Sequence, residues 1–268
     1  MKNLVIVGIS DTADRICLFI ERYKLFKIIG CTVNEAYMPE SGFATVGGVN
    51  RKVFPLEKLD KFIDKDNDYL FVAILWNRLN ADRRLMYERV KSMGYKLANI
   101  VSPHARIRGE LLGDNCLISD DVIVQERAKL GSNIFVMDNA IVGHRSVIEN
   151  HCFITIKAAV CGAVHIGEQS YIGAHSTIFD SVRIGKKCLI GGATIVKRNV
   201  PDCSVVKTPN DTMIIKQYHE DVIESKWQAH HNIRQKNEER RNNSSHWWLL
   251  RIRITIWSGV SFKSHCPQ

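Results

Sequence analysis

The chain lacks most of the features that mark a membrane, secreted or nucleic-acid-binding protein. No stretch approaches the roughly 20 consecutive apolar residues of a membrane helix. Met1-Lys2-Asn3 opens onto an apolar run of only six residues, too short for a signal peptide. None of the eight cysteines forms a CxxC pair, which argues against a zinc or thioredoxin-like redox motif. No block of six or more like charges occurs, although 37 Lys and Arg against 28 Asp and Glu leave a net charge of +9. Nucleic-acid binding concentrates such an excess in a stripe, whereas a diffuse positive field suits small polyanions. A GxGxxG dinucleotide fingerprint is also missing. The expected setting is therefore a reducing cytoplasm, with no membrane span, no metal and no nucleic-acid partner.

What the chain does have is a period. From Leu112 through Ile118, Val124 and Leu130 to Ile190 and Val196, an aliphatic residue falls at every sixth position. Four residues after each stands a small or β-branched one, among them Cys116, Ala128, Ser146, Cys152, Ser170 and Cys188. Helical apolar positions recur every three to four residues and strand positions every second, so neither pattern fits. A fixed short period means a solenoid. Three six-residue sides make a triangular coil of 18, with the aliphatic pointing inward and the small residue letting the corner turn. This predicts a left-handed parallel β-helix in which most cysteines are small core fillers.

Residues 1–105 have a different pattern. Leu4 to Gly8 reads as a buried strand, Ile16, Phe19, Ile20 and Tyr23 as a helix face, and Phe26–Val33 as a second strand. Leu70–Ile74 is another apolar run, and Ala81–Met93 a helix closing on Gly94. Strands alternating with helices predict an α/β domain with a small parallel, Rossmann-like sheet. The β-helix is assigned to 106–206 and a C-terminal extension to 207–268, with a helix at about Asp211–Ser225. The final Trp247–Trp257 stretch alternates partly as a strand would and is read as a cap or a loose end.

Four histidines fall within the repeats. His151, His165 and His175 read as solvated turn residues, whereas His144 has informative neighbours in the 18-residue register. Glu126 lies one coil below it and Gly162 one coil above, and successive coils pair at about 4.8 Å. A carboxylate that orients an imidazole, beside a glycine N–H open to an oxyanion, is the furniture of general-base catalysis.

Val142-Gly143-His144, Ala158 to Gly162, His165-Ile166-Gly167-Glu168, Tyr171-Ile172-Gly173-Ala174, Val182–Gly185 and Ile190–Val196 together resemble a bacterial group. It is the hexapeptide sugar acyltransferases, which include nucleotide-aminosugar N-acetyltransferases and sialic-acid O-acetyltransferases. The strand to Gly8, Phe71–Ile74 with Asn77-Arg78, and Asn99–Pro103 look like that family's nucleotide-sugar domain, so the resemblance covers roughly residues 3–206. It implies transfer of an acetyl group from acetyl-coenzyme A to an amino group on a nucleotide-linked deoxy sugar, in surface-glycan synthesis. It also implies a homotrimer whose coenzyme cleft lies between two subunits. O-acetylation of a sialic acid or glycan hydroxyl, and a non-catalytic trimeric scaffold, are the rival readings.

Position by position, the resemblance makes His144 the base, with Gly162 N–H on the thioester carbonyl and Ala174 and Gly192 lining the coenzyme. Gly8, Ile9, Ser10, Asp11, Asn34 and Glu35 match nucleotide-sugar contacts, with Gly47 and Gly48 near a further one. Three positions depart from the pattern. Arg145 replaces the acidic residue after the base, so Glu126 is expected to substitute for it. Phe153 stands where a second histidine contacts coenzyme A, making that contact apolar. The glycine-rich turn is reduced to Gly8-Ile9-Ser10-Asp11, which limits close backbone approach to a diphosphate.

Overall fold

The computed structural model describes residues 1–207, 214–219 and 222–223. The first part alternates as expected: β1 (Asn3–Val7), α1 (Asp11–Arg22), β2 (Lys27–Val33), β3 (Phe43–Val46), β4 (Val49–Pro55), β5 (Tyr69–Val72), α2 (Ala81–Ser92) and β6 (Lys96–Leu97). The strand order is β3-β4-β2-β1-β5-β6. β1 carries an unbroken apolar run because both its faces are covered. Leu4 and Ile6 pack in one buried cluster with Ile16, Cys17 and Ile20 of α1, and Val5 and Val7 in another with Val90 of α2.

The sheet is mixed rather than purely parallel. β3 runs antiparallel to β4, joined by a Gly47-Gly48 turn with φ of 64° and 70°. Only glycine takes two consecutive left-handed values cheaply, and such turns match the twist of a two-residue hairpin. Those glycines are thus first of all hairpin residues.

From Ile100 the chain winds into a triangular prism of two-residue strands that pair, coil on coil, into three parallel sheets. Leu117 lies opposite Phe135, Ile141 opposite Ala159, and His165 opposite Arg183. The aliphatics from Ile118 to Val196 fill the interior, together with the small corner residues. Leu112 is the exception, 63% exposed. The first coil is irregular: Val101 pairs with Ile118 and Leu111 with Leu130, so Leu111 faces inward and Leu112 is turned out. The residue before each small corner position, from Asn115 to Ala193, has φ between 53° and 63°. Left-handed non-glycine residues cost about 1–2 kcal/mol each. The repeat bears that cost because each corner hands its backbone hydrogen bonds to the next coil, as in Ala163 N–H to His144 O at 2.7 Å. Burial pushes the thiols of Cys116, Cys152 and Cys188 up to about 12, as inert fillers require.

Above the last coil, the strand Ser204–Lys207 pairs with Leu189–Ile190, and Ile214–Gln217 pairs antiparallel with it. A strand therefore occupies part of the span where the expected helix lay, because the open end of a solenoid offers unpaired backbone groups. The Trp247–Trp257 stretch lies outside the described residues.

Candidate functional site

His144 sits at the corner that follows the strand Ile141–Val142. The corner stack runs in the expected register, with Arg145 N–H bonded to Glu126 O at 3.1 Å and Ser181 N–H to Gly162 O at 2.9 Å. The imidazole is exposed, and among the described residues it has no hydrogen-bond partner. It lies over Gly162: a Cβ there would stand 2.3 Å from its Cε1 and 2.8 Å from its Nε2. Only a glycine lets the ring settle on that peptide. The backbone N–H of His144 is held by Gln125 Oε1 at 2.9 Å.

Two expectations about this column need correction. Glu126 pairs with Arg108, Nε to Oε1 at 2.6 Å, instead of bonding to the imidazole. Its carboxyl is nevertheless held below its ordinary range, by a backbone hydrogen bond first and by Arg108 and His144 to lesser extents. The Gly162 N–H is not open either: it donates to Asp180 Oδ1 at 2.9 Å. Asp180 was not singled out from the sequence, although it stands two coils above His144 in the same register. Arg145 occupies the left-handed corner itself, with φ of 60°, and is exposed.

Two glycine substitutions should separate site from scaffold. At Gly143 a Cβ would meet the Cys161 backbone at 2.4 Å, which cannot give way. Gly143→Ala is expected to lower stability by about 1–3 kcal/mol, the usual cost of overpacking. At Gly162 the added methyl meets the exposed His144 ring, a side chain with solvent to turn into. Gly162→Ala should melt close to wild type but displace the imidazole, and turnover measured beside thermal melting checks both outcomes.

The N-terminal candidates gather at the carboxyl edge of the sheet, where open α/β sheets bind ligands. Gly8 leaves β1 with φ of 123°, and Ser10 is the N-cap of α1, without a side-chain capping bond. Ile9 is half-buried and Asp11 exposed. Asn34 and Glu35 follow β2, already engaged by neighbours. Asn34 Oδ1 accepts from Arg89 at 2.8 Å, the Glu35 N–H donates to Glu57 Oε2 at 2.8 Å, and the Glu35 carboxylate pairs with Lys58. Gly48 sits apart in the hairpin turn, which Asp14 fastens to α1 by accepting the Gly47 N–H at 2.7 Å. Asp14 is thereby committed to the fold.

No family model matches the chain, and no curated protein matches its sequence. Solved structures do match. A point mutant of perosamine N-acetyltransferase from Caulobacter crescentus, in complex with CoA and GDP-perosamine, superposes with a TM-score of 0.68 at 21% identity over 81% of this chain and 98% of that one. The acetyltransferase domain of PglB from Neisseria gonorrhoeae gives 0.67 at 18% identity, over 81% and 100%. WeeI from Acinetobacter baumannii gives 0.65 at 18%, over 80% and 100%. The chain has the fold of the hexapeptide sugar acetyltransferases.

Within this acetyltransferase fold, Ala174 and Gly192 stack one coil apart, with Ala193 N–H bonded to Ala174 O at 2.7 Å. They follow the strand Tyr171–Ile172 and so lie at a different corner from His144. The sheet that carries Ile141, Ala159, Thr177 and Ile195 separates the two corners. One chain therefore does not bring His144 and the coenzyme-lining candidates together. A groove of about 510 Å³ on the third face, lined by Glu149, His165, Arg183, Lys186 and Asp202, does not include His144. In it His165 Nε2 bonds Glu149 Oε1 at 2.8 Å.

Phe153 is not available as a coenzyme contact. It is 1% exposed, stacked on Tyr171 at 5.6 Å and edge-on to Trp76 at 5.1 Å, within the cluster that joins the prism to the N-terminal sheet. The signal for this was present: Leu117, Phe135, Phe153 and Tyr171 recur at 18-residue spacing on one outer face, which the N-terminal domain covers.

The adjacent corner is also covered, and by polar groups. Asn115 Nδ2 donates to Asn133 Oδ1 and Asn133 Nδ2 bonds His151 Nδ1, each at 2.8 Å. Asn115 Oδ1 accepts the Val72 N–H of β5 at 2.8 Å. His151 is 4% exposed, so it is not the solvated residue expected. Burial, and secondarily Arg83 and Arg84, pushes its imidazole down to about 3, leaving it neutral. Arg83 is fully buried over Phe135 and donates to the carbonyls of Leu75, Asn133, His151 and Cys152. Burial brings its guanidinium down to about 9. Nothing in local sequence marks an arginine for such a role. Among the described residues, no helix is long and apolar enough to cross a membrane.

Proposed function

We propose that this chain is an acetyl-coenzyme A-dependent N-acetyltransferase acting on a nucleotide-linked amino sugar in a cytoplasmic step of surface-glycan assembly. The observation that carries the reading is the His144 imidazole, without a hydrogen-bond partner among the described residues, laid over the Gly162 peptide at an exposed prism corner. The shared fold of acetyltransferases crystallised with coenzyme A and GDP-perosamine supports it.

In this reading the sugar amine attacks the thioester carbonyl carbon while His144 removes its proton. The Gly162 N–H stabilises the oxyanion, the C–S bond breaks, and the leaving thiolate takes the proton back from the imidazolium. Base catalysis of this kind contributes about 100- to 10,000-fold. The carboxyl edge with Gly8, Ile9, Ser10, Asp11, Asn34 and Glu35 holds the nucleotide end of the acceptor. Ala174 and Gly192 of a second copy complete the coenzyme cleft.

That second copy has a face to pack on. The sheet between the two corners exposes Ile141 (37%) and Ile195 (51%), with Phe179 beside it. Exposed apolar surface of this kind marks an interface. The chain is expected to be a trimer by light scattering, and Ile141→Asp combined with Ile195→Asp to leave monomer without donor turnover.

A thiol-release assay with acetyl-coenzyme A and a panel of acceptors tests the activity. Release with nucleotide amino sugars supports the proposal. Release with hydroxyl acceptors alone would shift it to O-acetylation, and silence with every acceptor would leave a scaffold.

A further inference from the structure

We propose that Asp180 gates the acyl donor, by occupying in the resting site the one N–H that a thioester carbonyl needs. The inference rests on the acyl-transfer reading above. Asp180 reaches down one coil so that its Oδ1 accepts the Gly162 N–H at 2.9 Å. The same device recurs at another corner, where Asn150 Oδ1 accepts the Ser132 N–H at 2.8 Å. There it satisfies a turn N–H. At Gly162 the peptide also carries the His144 ring, so carboxylate and imidazole converge on a single backbone unit.

A donor that places its carbonyl beside the imidazole asks for that same N–H. It cannot have it while the carboxylate stays, and a carboxylate left in place would repel the oxyanion that follows. Gly162 is buried, so its N–H needs a partner whenever the donor is absent. Asp180 is exposed and has solvent to swing into. Its carboxylate thus keeps the empty site satisfied and weakens donor binding by competing with it.

The competition is specific to the carbonyl, which makes it separable from a structural role. Calorimetric titration of wild type, Asp180→Ala and Asp180→Asn with acetyl-coenzyme A and with free coenzyme A is the test. Asp180→Ala is expected to bind acetyl-coenzyme A about tenfold more tightly, the scale of one charge-assisted hydrogen bond in competition. Binding of free coenzyme A, which has no carbonyl at that point, should stay unchanged. Asp180→Asn keeps an acceptor oxygen without the charge and should gain about threefold, and it carries the test should the alanine variant not fold. An unchanged or weakened affinity for acetyl-coenzyme A in the folded variants overturns the gate, as does an equal gain for free coenzyme A. If no form binds coenzyme A at all, the acyl-transfer reading falls and takes the gate with it.

Discussion

Replacing His144 by alanine is expected to lower turnover with acetyl-coenzyme A and an amino-sugar acceptor by at least about 100-fold, the low end of general-base contributions. Stability should move by less than about 0.5 kcal/mol, because the side chain is exposed and makes no hydrogen bond among the described residues. The decisive measurement is kcat beside a melting curve. A fall in kcat at unchanged melting temperature assigns the imidazole to proton transfer. Full activity in the variant would end that assignment. An amine needs less help from a base than a hydroxyl does, so raising the pH should partly restore the variant on an amino acceptor and leave a hydroxyl acceptor inert. The corresponding change at His165, held by Glu149 on another face, should leave turnover near wild type.

The second large effect concerns stability against pH. His151 is neutral in the fold, with its pKa pushed down to about 3 chiefly by burial and then by Arg83 and Arg84. In the unfolded chain it returns to about 6.5. Between these values the unfolded chain binds the extra proton, so stability is full above about 6.5 and falls as the pH drops toward 3, by about 1.4 kcal/mol per pH unit. The groups that face the ring are Asn133, Tyr87, Arg83, Arg84 and Glu168, whose Oε1 lies 3.5 Å from Nε2. Asn133 bonds Nδ1, so when Asn133 Nδ2 donates there the proton sits on Nε2, facing Glu168. His151→Asn would extend the ladder of Asn115 and Asn133 into the next coil at a corner with φ of 63°, a conformation asparagine tolerates. Urea unfolding of both proteins at pH 7 and pH 4 should show the variant losing about 2–3 kcal/mol less on acidification. Equal losses would mean that Glu168 or solvent carries the charged ring after all.

Much of the architecture was legible because a solenoid is built from near neighbours. Each coil meets only the coils above and below, so an 18-residue period in the sequence is already a list of spatial contacts. That logic located the prism from Ile118 to Val196 and the column of Glu126, His144 and Gly162. It failed where a coil is irregular, as at Leu112, and it could not say where side chains in a column would turn. Glu126 chose Arg108 on the coil below, and Asp180, reaching down from above, took the glycine N–H.

What lies on the outside of the prism was a different matter. The chain's own pattern decides that a face at Phe135 and Phe153 is apolar and that a corner at Asn115, Asn133 and His151 is polar. Only the tertiary structure decides that the N-terminal domain covers both, turning a supposed coenzyme contact into core and a supposed solvated histidine into a buried neutral one. The reason is range. Period and propensity act over a few residues or one coil, whereas Arg83 reaches the carbonyl of His151 across 68 residues of chain, through a contact that no local pattern encodes.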